Sequence, residues 1–579
     1  MRTLIAAGLS ALLVTTVLGA QQAPYRTLDD KFTPPTFTDA GQWNTRAAYL
    51  REHVLASAGL LPMPARAPLA AQVFGEIKHN DYIVAKVYFQ SLPGFLVTGN
   101  LYRPAGDGPF PAVLAPHGHW AYGRLENTTL NSVPGRAINL ARQGFVVFTY
   151  DMVGYDDSRQ LTHTFGGKRE TLWGLSLGGL QLWNSIRSLD FLQSLPYVQR
   201  DALAVTGESG GGTQTFLLAA VDDRVKVAVP VNMISLHMQG GCLCENPPSL
   251  RLDTTNVEIA ATIAPRPLLM ISATGDWTAN TLEAEYPAVR RIYSLLDAPD
   301  RVQAVRIQAE HNYNKESREA MYTWLARWMK GAPADVPVRE RSFTADSPAD
   351  LLVFHQRPLP PEALTAEQVT EHWIAEAKKQ LTATDRQVRV RALRHALGYS
   401  DVRPAVPRSG KSSMVLLAGD DAELERELRS ARFTVKKIAF RPFDAAAAAK
   451  VRHFETYNRT QAAQRVADIV SALDADPGAA IVASGDAALA ALLASAVVTP
   501  RLAVLDVGAF DTSKDADFAD RLYVPGLRRA GDLATAAATA GDALVIHGAG
   551  ENFVLDGATV GRTRLSAKEI VARLRRSPR

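Results

Sequence analysis

Ser209 stands in the string VTGESGGGTQTF, Val205 to Phe216, directly after an apolar run and among four glycines. A serine hydroxyl is a weak nucleophile until a base takes its proton, so a reactive serine needs a histidine and a group that orients it. Two later segments supply that pair. LLMISATGDW ends an apolar run with Asp276, and RIQAEHNYN ends the next with His311. The chain order Ser, Asp, His, each residue just past a candidate strand, is the order of a nucleophile elbow and its partners. In this reading His311 is the general base toward Ser209 and then the acid toward the leaving group. Asp276 holds the imidazole tautomer and stabilises imidazolium. Taken singly, each residue reads as a turn or a cap; taken together they point to acyl transfer.

The tetrahedral intermediate of acyl transfer needs amide donors aimed at its oxyanion. One is the N–H of Gly210, the residue after the nucleophile. The other falls in the loop HGHWAYGR that follows PAVLAP, at His119 or Trp120. Trp120, Tyr122, Arg124, Trp173, Trp277 and Tyr313 lie near these loops in sequence and are candidate substrate contacts. Their aromatic faces suit sugar rings, and Arg124 and Tyr313 suit hydroxyls or a carboxylate. Glu208, beside the nucleophile, reads as a structural carboxylate hydrogen-bonded beneath the elbow. The two cysteines, Cys242 and Cys244, have only His237 close in sequence. That is too few ligands for a metal, so free or buried thiols and no metal or cofactor are expected. The segment holding them, QGGCLCENPPSLRLDTTN, reads as a fixed irregular insertion folded over the site.

Those residues need a frame that brings separate loops to one edge. From Pro111 on, short apolar runs (PAVLAP, GFVVFTYD, ALAVTG, VKVAVPV, RPLLMISAT) alternate with helical stretches such as SVPGRAINLARQG and GLQLWNSIRSLDFLQSL. Buried runs of about five residues separated by helices predict a parallel sheet covered on both faces. Before it, EIKHNDYIVAKVYFQSLPGFLVTGNLYRP alternates apolar and polar residues, the pattern of antiparallel strands. Ser209 sits where such a strand gives way to a helix, so Gly207-Glu208-Ser209-Gly210-Gly211 matches G-x-S-x-G. The glycines allow a tight turn that bulkier neighbours would block.

The 579 residues exceed one core, and composition is that of a water-soluble globular chain: 47% hydrophobic, 21% charged, net charge +4. That balance predicts no nucleic-acid partner. Arg2 followed by LIAAGLSALLVTTVLGA reads as a secretory leader over residues 1–20, hence an exported protein, periplasmic or extracellular, without a stable membrane anchor. The expected catalytic domain covers 24–335, a linker with a helical connection 336–410, and a further α/β domain 411–579.

The strings PAVLAPHGHWAYGR, GFVVFTYDMVGYDDSRQ, VTGESGGGTQTFLLAAVDDRVKVAVPVNMIS, QGGCLCENPPSLR, IAPRPLLMISATGDWT and EHNYNKESREA resemble the secreted acetyl xylan esterase-like α/β hydrolases, neighbours of the dienelactone-hydrolase and prolyl-oligopeptidase branches. The likeness covers about residues 75 to 330. It implies an α/β-hydrolase fold with Ser209, Asp276 and His311 as triad, and an ester of a plant glycan as substrate. Glucuronoyl or feruloyl esters and a prolyl-oligopeptidase-like peptidase are the competing activities. A non-catalytic carbohydrate-binding scaffold is the competitor from another class. In the last domain, ASGDAA stands where an elbow would, with Ser484 its one candidate nucleophile. GAGEN sets Gly550 and Glu551 against Gly275 and Asp276. The pattern predicts a degenerate hydrolase-like or Rossmann-like domain. No G-x-G-x-x-G occurs there, so no nucleotide cofactor is expected.

Overall fold

The structure is a computed structural model and describes residues 25–400, 412–555 and 558–576. The leader, at residues 1–20, and most of the PAVPRSGKSS linker lie outside the described residues.

Nine strands form one mixed sheet: β1 (Gln72–Lys78), β2 (Tyr82–Leu92), β3 (Phe95–Pro104), β4 (Phe110–Leu114), β5 (Val146–Tyr150), β6 (Val198–Glu208), β7 (Val225–Val231), β8 (Leu268–Gly275) and β9 (Val302–Glu310). Their order is β1-β2-β3-β5-β4-β6-β7-β8-β9. The first three run antiparallel to their neighbours; from β5 across to β9 every pairing is parallel.

Alternation along the central strands explains the two-sided burial. Leu114, Phe148 and Val205 face a core with Trp183 and Leu180 of helix Leu177–Ser194, Phe216 of helix Gly210–Val221 and Trp43 of helix Ala40–Ser57. Their strand neighbours Val113, Val147 and Ala204 face the other way, onto Ile138 and Leu140 of helix Val133–Arg142 and Trp324 and Leu325 of helix Lys315–Lys330. Both faces are apolar because both carry helices, so the strands read as continuous apolar runs.

The stretch after the nine-stranded sheet is more ordered than its proline content suggests. The Phe343 ring fills the notch at Gly135, where an added Cβ would lie 2.2 Å from Phe343 Cζ. The backbone amides of Val353 and Phe354 donate to Asp157. Helices Ala366–Ala383 and Arg386–Ala396 follow.

A second sheet comprises β10 (Met414–Ala418), β11 (Thr434–Lys437), β12 (Ala480–Ser484), β13 (Ala503–Asp506) and β14 (Leu544–His547), all parallel in the order β11-β10-β12-β13-β14. The parallel half of the first sheet, β5-β4-β6-β7-β8, has the same order of connections. The doubly wound pattern thus occurs twice. One apolar core runs through both sheets, since Leu416, Ile481 and Leu489 belong to the same cluster as Trp43, Phe148 and Trp183.

Candidate active site

The C-terminal ends of β6, β8 and β9 deliver Ser209, Asp276 and His311 to one edge of the sheet. Ser209 has φ 55° and ψ −122°, a left-handed conformation that an L-residue adopts only under strain. Its N–H donates to Val231 O at 3.0 Å, fixing the turn to the end of β7. Glycine is required on both sides. A Cβ on Gly207 would lie 2.5 Å from Pro116 O, and one on Gly211 at the same distance from that atom. Helix Gly210–Val221 begins at once, so the Gly210 N–H is a first-turn amide with no acceptor in its own helix.

Asp276 is held from both sides. The Thr278 N–H and hydroxyl bond its Oδ1 at 2.7 and 2.5 Å, and Oδ2 lies 2.8 Å from His311 Nδ1. A proton on Nδ1 leaves the Nε2 lone pair for a hydroxyl. The following residues brace this turn: Asn232 Nδ2 donates to Asn312 O, and the Tyr313 N–H donates to Leu130 O. Two indoles flank the imidazole, Trp277 with its ring centroid 4.6 Å away and Trp120 at 6.2 Å. Trp120 belongs to the HGHW loop, whose Gly118 lies against the nucleophile: an added Cβ there would be 3.2 Å from Ser209 Cβ.

Glu208 organises that loop from below. Its Oε1 accepts from the Gly118 N–H, Trp120 Nε1 and Asn131 Nδ2, while Oε2 takes Arg136 at 2.8 Å; all but the half-buried Trp120 are fully buried. Because the Gly118 amide is committed to Glu208, it is not available to an oxyanion. The candidates in this loop are the amides of His119 and Trp120. His117 is neutral, its pKa pushed down to about 3 by burial; its Nδ1–H bonds Gly118 O and its Nε2 accepts from the Met152 N–H.

Three expected substrate contacts are corrected. Arg124 is 1% exposed and pairs with Asp151, Asp156 and Asp157, which occupy its guanidinium. Tyr313 is fully buried, its hydroxyl 2.6 Å from Thr206 Oγ1 and its ring under Arg136. Trp173 is 2% exposed, and its indole N–H donates to Asp515 of the second α/β unit. Proximity in sequence to a catalytic loop does not fix the direction of a side chain, and all three point into protein. Tyr122, by contrast, is 68% exposed at the loop's rim, and the buried Trp277 Nε1 has no partner among the described residues.

Four residues converge beside the elbow that sequence spacing does not group. His119, His163, Cys242 and Cys244 each bring a donor atom within 4.8 Å of the others. His237, the histidine nearest the cysteines in sequence, contacts Ser235 instead. The cysteine-bearing insertion is fixed: Arg251 donates to Asn256, Asn246 and Gln239 O, and the Arg251 N–H bonds Thr456 O. It is a wedge between the site and the second sheet's domain.

In the second sheet Gly485, not Ser484, occupies the elbow position. It has φ 60° and ψ −135°, and its N–H donates to the last residue of the adjacent strand, Asp506 O, as Ser209 does to Val231 O. The turn is kept, and a hydrogen stands where Ser209 carries its hydroxymethyl group.

A mixed sheet whose parallel strands end in an elbow serine, a carboxylate and a histidine is the architecture of the α/β hydrolases. The chain has that fold. No known family profile matches it. It is 28% identical over 242 residues to YtaP of Bacillus subtilis (strain 168), a protein named as a hydrolase, covering 38% of this chain and 80% of that one. Among solved structures, the methylesterase BT1017 is 29% identical, with a TM-score of 0.51, over 60% of this chain and 78% of its own. A structure described as an acetyl xylan esterase of Bacteroides fragilis NCTC 9343 is 18% identical, with a TM-score of 0.39, over 48% and 79%. Among the described residues no helix is long and apolar enough to cross a membrane.

Proposed function

We propose that this chain is a serine ester hydrolase that works through an acyl-enzyme, removing acetyl groups from a plant glycan such as xylan, and that it is exported. The observations that carry the mechanism are the strained Ser209 turn and, at the same edge of the sheet, a His311 imidazole oriented by Asp276 at 2.8 Å. In the first step His311 Nε2 takes the Ser209 proton as Oγ attacks the ester carbonyl. The oxyanion is met by the Gly210 amide and by one from His119 or Trp120. Imidazolium, stabilised by Asp276, returns the proton to the departing alcohol, and water repeats the sequence to free the acid. Tyr122, Trp277 and the face of Trp120 offer aromatic surface to a sugar. Export is read from residues 2–20.

A second reading, hydrolysis of methyl esters on a glycan carboxylate, is favoured by the likeness to the methylesterase. The two differ in which fragment stays on the serine: acetyl in one, the glycan acid in the other. The test measures acetate from acetylated xylan, methanol from a methyl-esterified polyuronate and phenol from an aryl acetate. Each is run with the mature protein and with Ser209→Ala. Acetate release from xylan that falls by roughly 10⁴-fold or more in the variant supports the first reading. Methanol release alone selects the second. Turnover of every ester surviving in Ser209→Ala would refute the serine mechanism.

A further inference from the structure

The cluster beside the elbow has the composition of a metal centre. We propose that His119, His163, Cys242 and Cys244 form a closed, four-ligand site for zinc(II) that ties the HGHW loop to the cysteine-bearing insertion. Geometry comes first. The four donor atoms lie within 4.8 Å of one another. Around a tetrahedral zinc, with bonds of about 2.0–2.3 Å, ligand atoms are separated by roughly 3.3–3.8 Å, so a small inward adjustment completes the shell.

The donors are also aimed. His163 Nδ1 lies 2.6 Å from Val153 O, which makes it the N–H and leaves Nε2 as the ligand atom. That Nε2 is buried and has no hydrogen-bond partner among the described residues. His119 Nε2 lies 3.1 Å from Cys244 Sγ, and its Nδ1 faces Glu245 at 4.0 Å. Imidazoles that bind a metal commonly give the other ring nitrogen to a carbonyl or a carboxylate, and both kinds of partner stand here. Glu245 is itself fixed by the amides of Gly241 and Cys242.

Chemistry selects the ion. Two sulfurs and two imidazole nitrogens favour zinc over magnesium or calcium, which take oxygen. Binding releases the two thiol protons, and the resulting Zn(Cys⁻)₂(His)₂ unit carries no net charge, which suits an enclosed position. Four protein ligands leave no place for water or substrate. The ion therefore has a structural role, and the ester chemistry stays with Ser209.

The ligands come from three separate loops: His119 after β4, His163 after β5, and the cysteines between β7 and β8. The His119 ring lies against the elbow, since an added Cβ on Gly210 would meet its Cε1 at 2.5 Å. A metal at this point fixes the loop whose amides face the oxyanion. That consequence rests on the proposed esterase mechanism; the metal site itself does not.

The test uses the full mature chain, purified with thiols reduced. Elemental analysis is expected to find about one zinc per chain. Chelator-stripped protein is expected to take up one equivalent of cobalt(II), with the intense visible absorption of tetrahedral thiolate coordination, and to gain in Tm when zinc is restored. Cys242→Ser and His163→Ala should each drop metal content below about a tenth, whereas His237→Ala and Ser209→Ala should keep it. Reduced, folded wild type that takes up neither zinc nor cobalt would overturn the proposal even if a variant fails to fold. So would a Cys242–Cys244 disulfide in the protein as exported, or metal retained by His163→Ala. Since Ser209→Ala is read by metal content alone, failure of the esterase mechanism and failure of the metal site are told apart.

Discussion

Glu208 shows how much a single side chain beside the nucleophile can do without touching substrate. It satisfies three donors from the HGHW region and neutralises Arg136 through Nη1; the Nε and Nη2 of that guanidinium have no hydrogen-bond partner among the described residues. Glu208→Gln removes the countercharge from a fully buried guanidinium and turns an acceptor into a donor. Breaking a buried pair from one side costs about 3–5 kcal/mol. Urea unfolding should show that loss, together with a fall in kcat larger than any rise in KM, because the loop amides lose their support. An unchanged midpoint would mean that Arg136 finds another partner. The placement of Ser209, Asp276 and His311 at strand ends was legible in the sequence because glycines and apolar runs mark backbone positions, which are what the proposed chemistry would use. The misplaced contacts, Arg124, Tyr313 and Trp173, depend on side-chain direction, which local spacing does not encode. The four metal-binding candidates were illegible for a related reason: positions 119, 163, 242 and 244 meet only through the closure of three loops.

At the scale of elements, the strand–elbow–helix unit recurs with and without its reagent. Patterning predicted a second α/β unit and placed Ser484 as its only nucleophile. The backbone puts Gly485 at the strained turn: β12 ends at Ser484 and the helix begins at Asp486, just as β6 ends at Glu208 and its helix begins at Gly210, so Ser484 aligns with Glu208 and Gly485 with Ser209. A pair of helices shows a different device. Helices Ala40–Ser57 and Arg386–Ala396 meet at His53 and His395, whose Nδ1 atoms are 3.3 Å apart, while His53 Nε2 reaches Ser249 O. Burial, and then the neighbouring His395, push the His53 pKa down to about 4 from an ordinary 6.5. In the unfolded chain His53 binds its proton first as pH falls. The stabilisation from keeping it neutral is therefore complete above about pH 6.5 and is lost progressively between 6.5 and 4, at up to ~1.4 kcal/mol per pH unit. Burial shifts His117 in the same direction and raises carboxyls such as Glu258, so the His53 share between pH 6.5 and 5.5 is the part of the slope that its substitution removes. Thermal midpoints should decline over that interval, and His53→Gln should flatten the decline. An equally steep decline in the variant would assign it elsewhere.

At the scale of the molecule, the second α/β unit is part of the catalytic unit's core. The Trp173 indole donates to Asp515 and lies under Arg528, while its carbonyl accepts from Trp373. Arg529 is almost fully buried and donates to Gly59 O, Pro62 O and Gln380; burial without a carboxylate partner brings its pKa down to about 10. Gly59 and Gly174 meet so closely that a Cβ on Gly59 would lie 1.8 Å from Gly174 O. Contacts of this kind do not survive as a surface in water: a chain ending near residue 345 would expose Trp173 and the side of helix Ala40–Ser57 that meets helix Arg386–Ala396. That truncation should be insoluble or lack a cooperative transition, and the intact protein should unfold calorimetrically in one main transition. Trp173→Ala in the full chain should cost about 3–5 kcal/mol, by loss of buried aromatic area and of the indole hydrogen bond to Asp515. A soluble 1–345 fragment with native Tm and full ester turnover would show that the two sheets fold independently. Gly485 would then mark a domain that neither catalyses nor supports catalysis. Loss of folding in the fragment, with turnover intact in Gly485→Ala, would instead make the nucleophile-free copy a structural partner that the catalytic half requires.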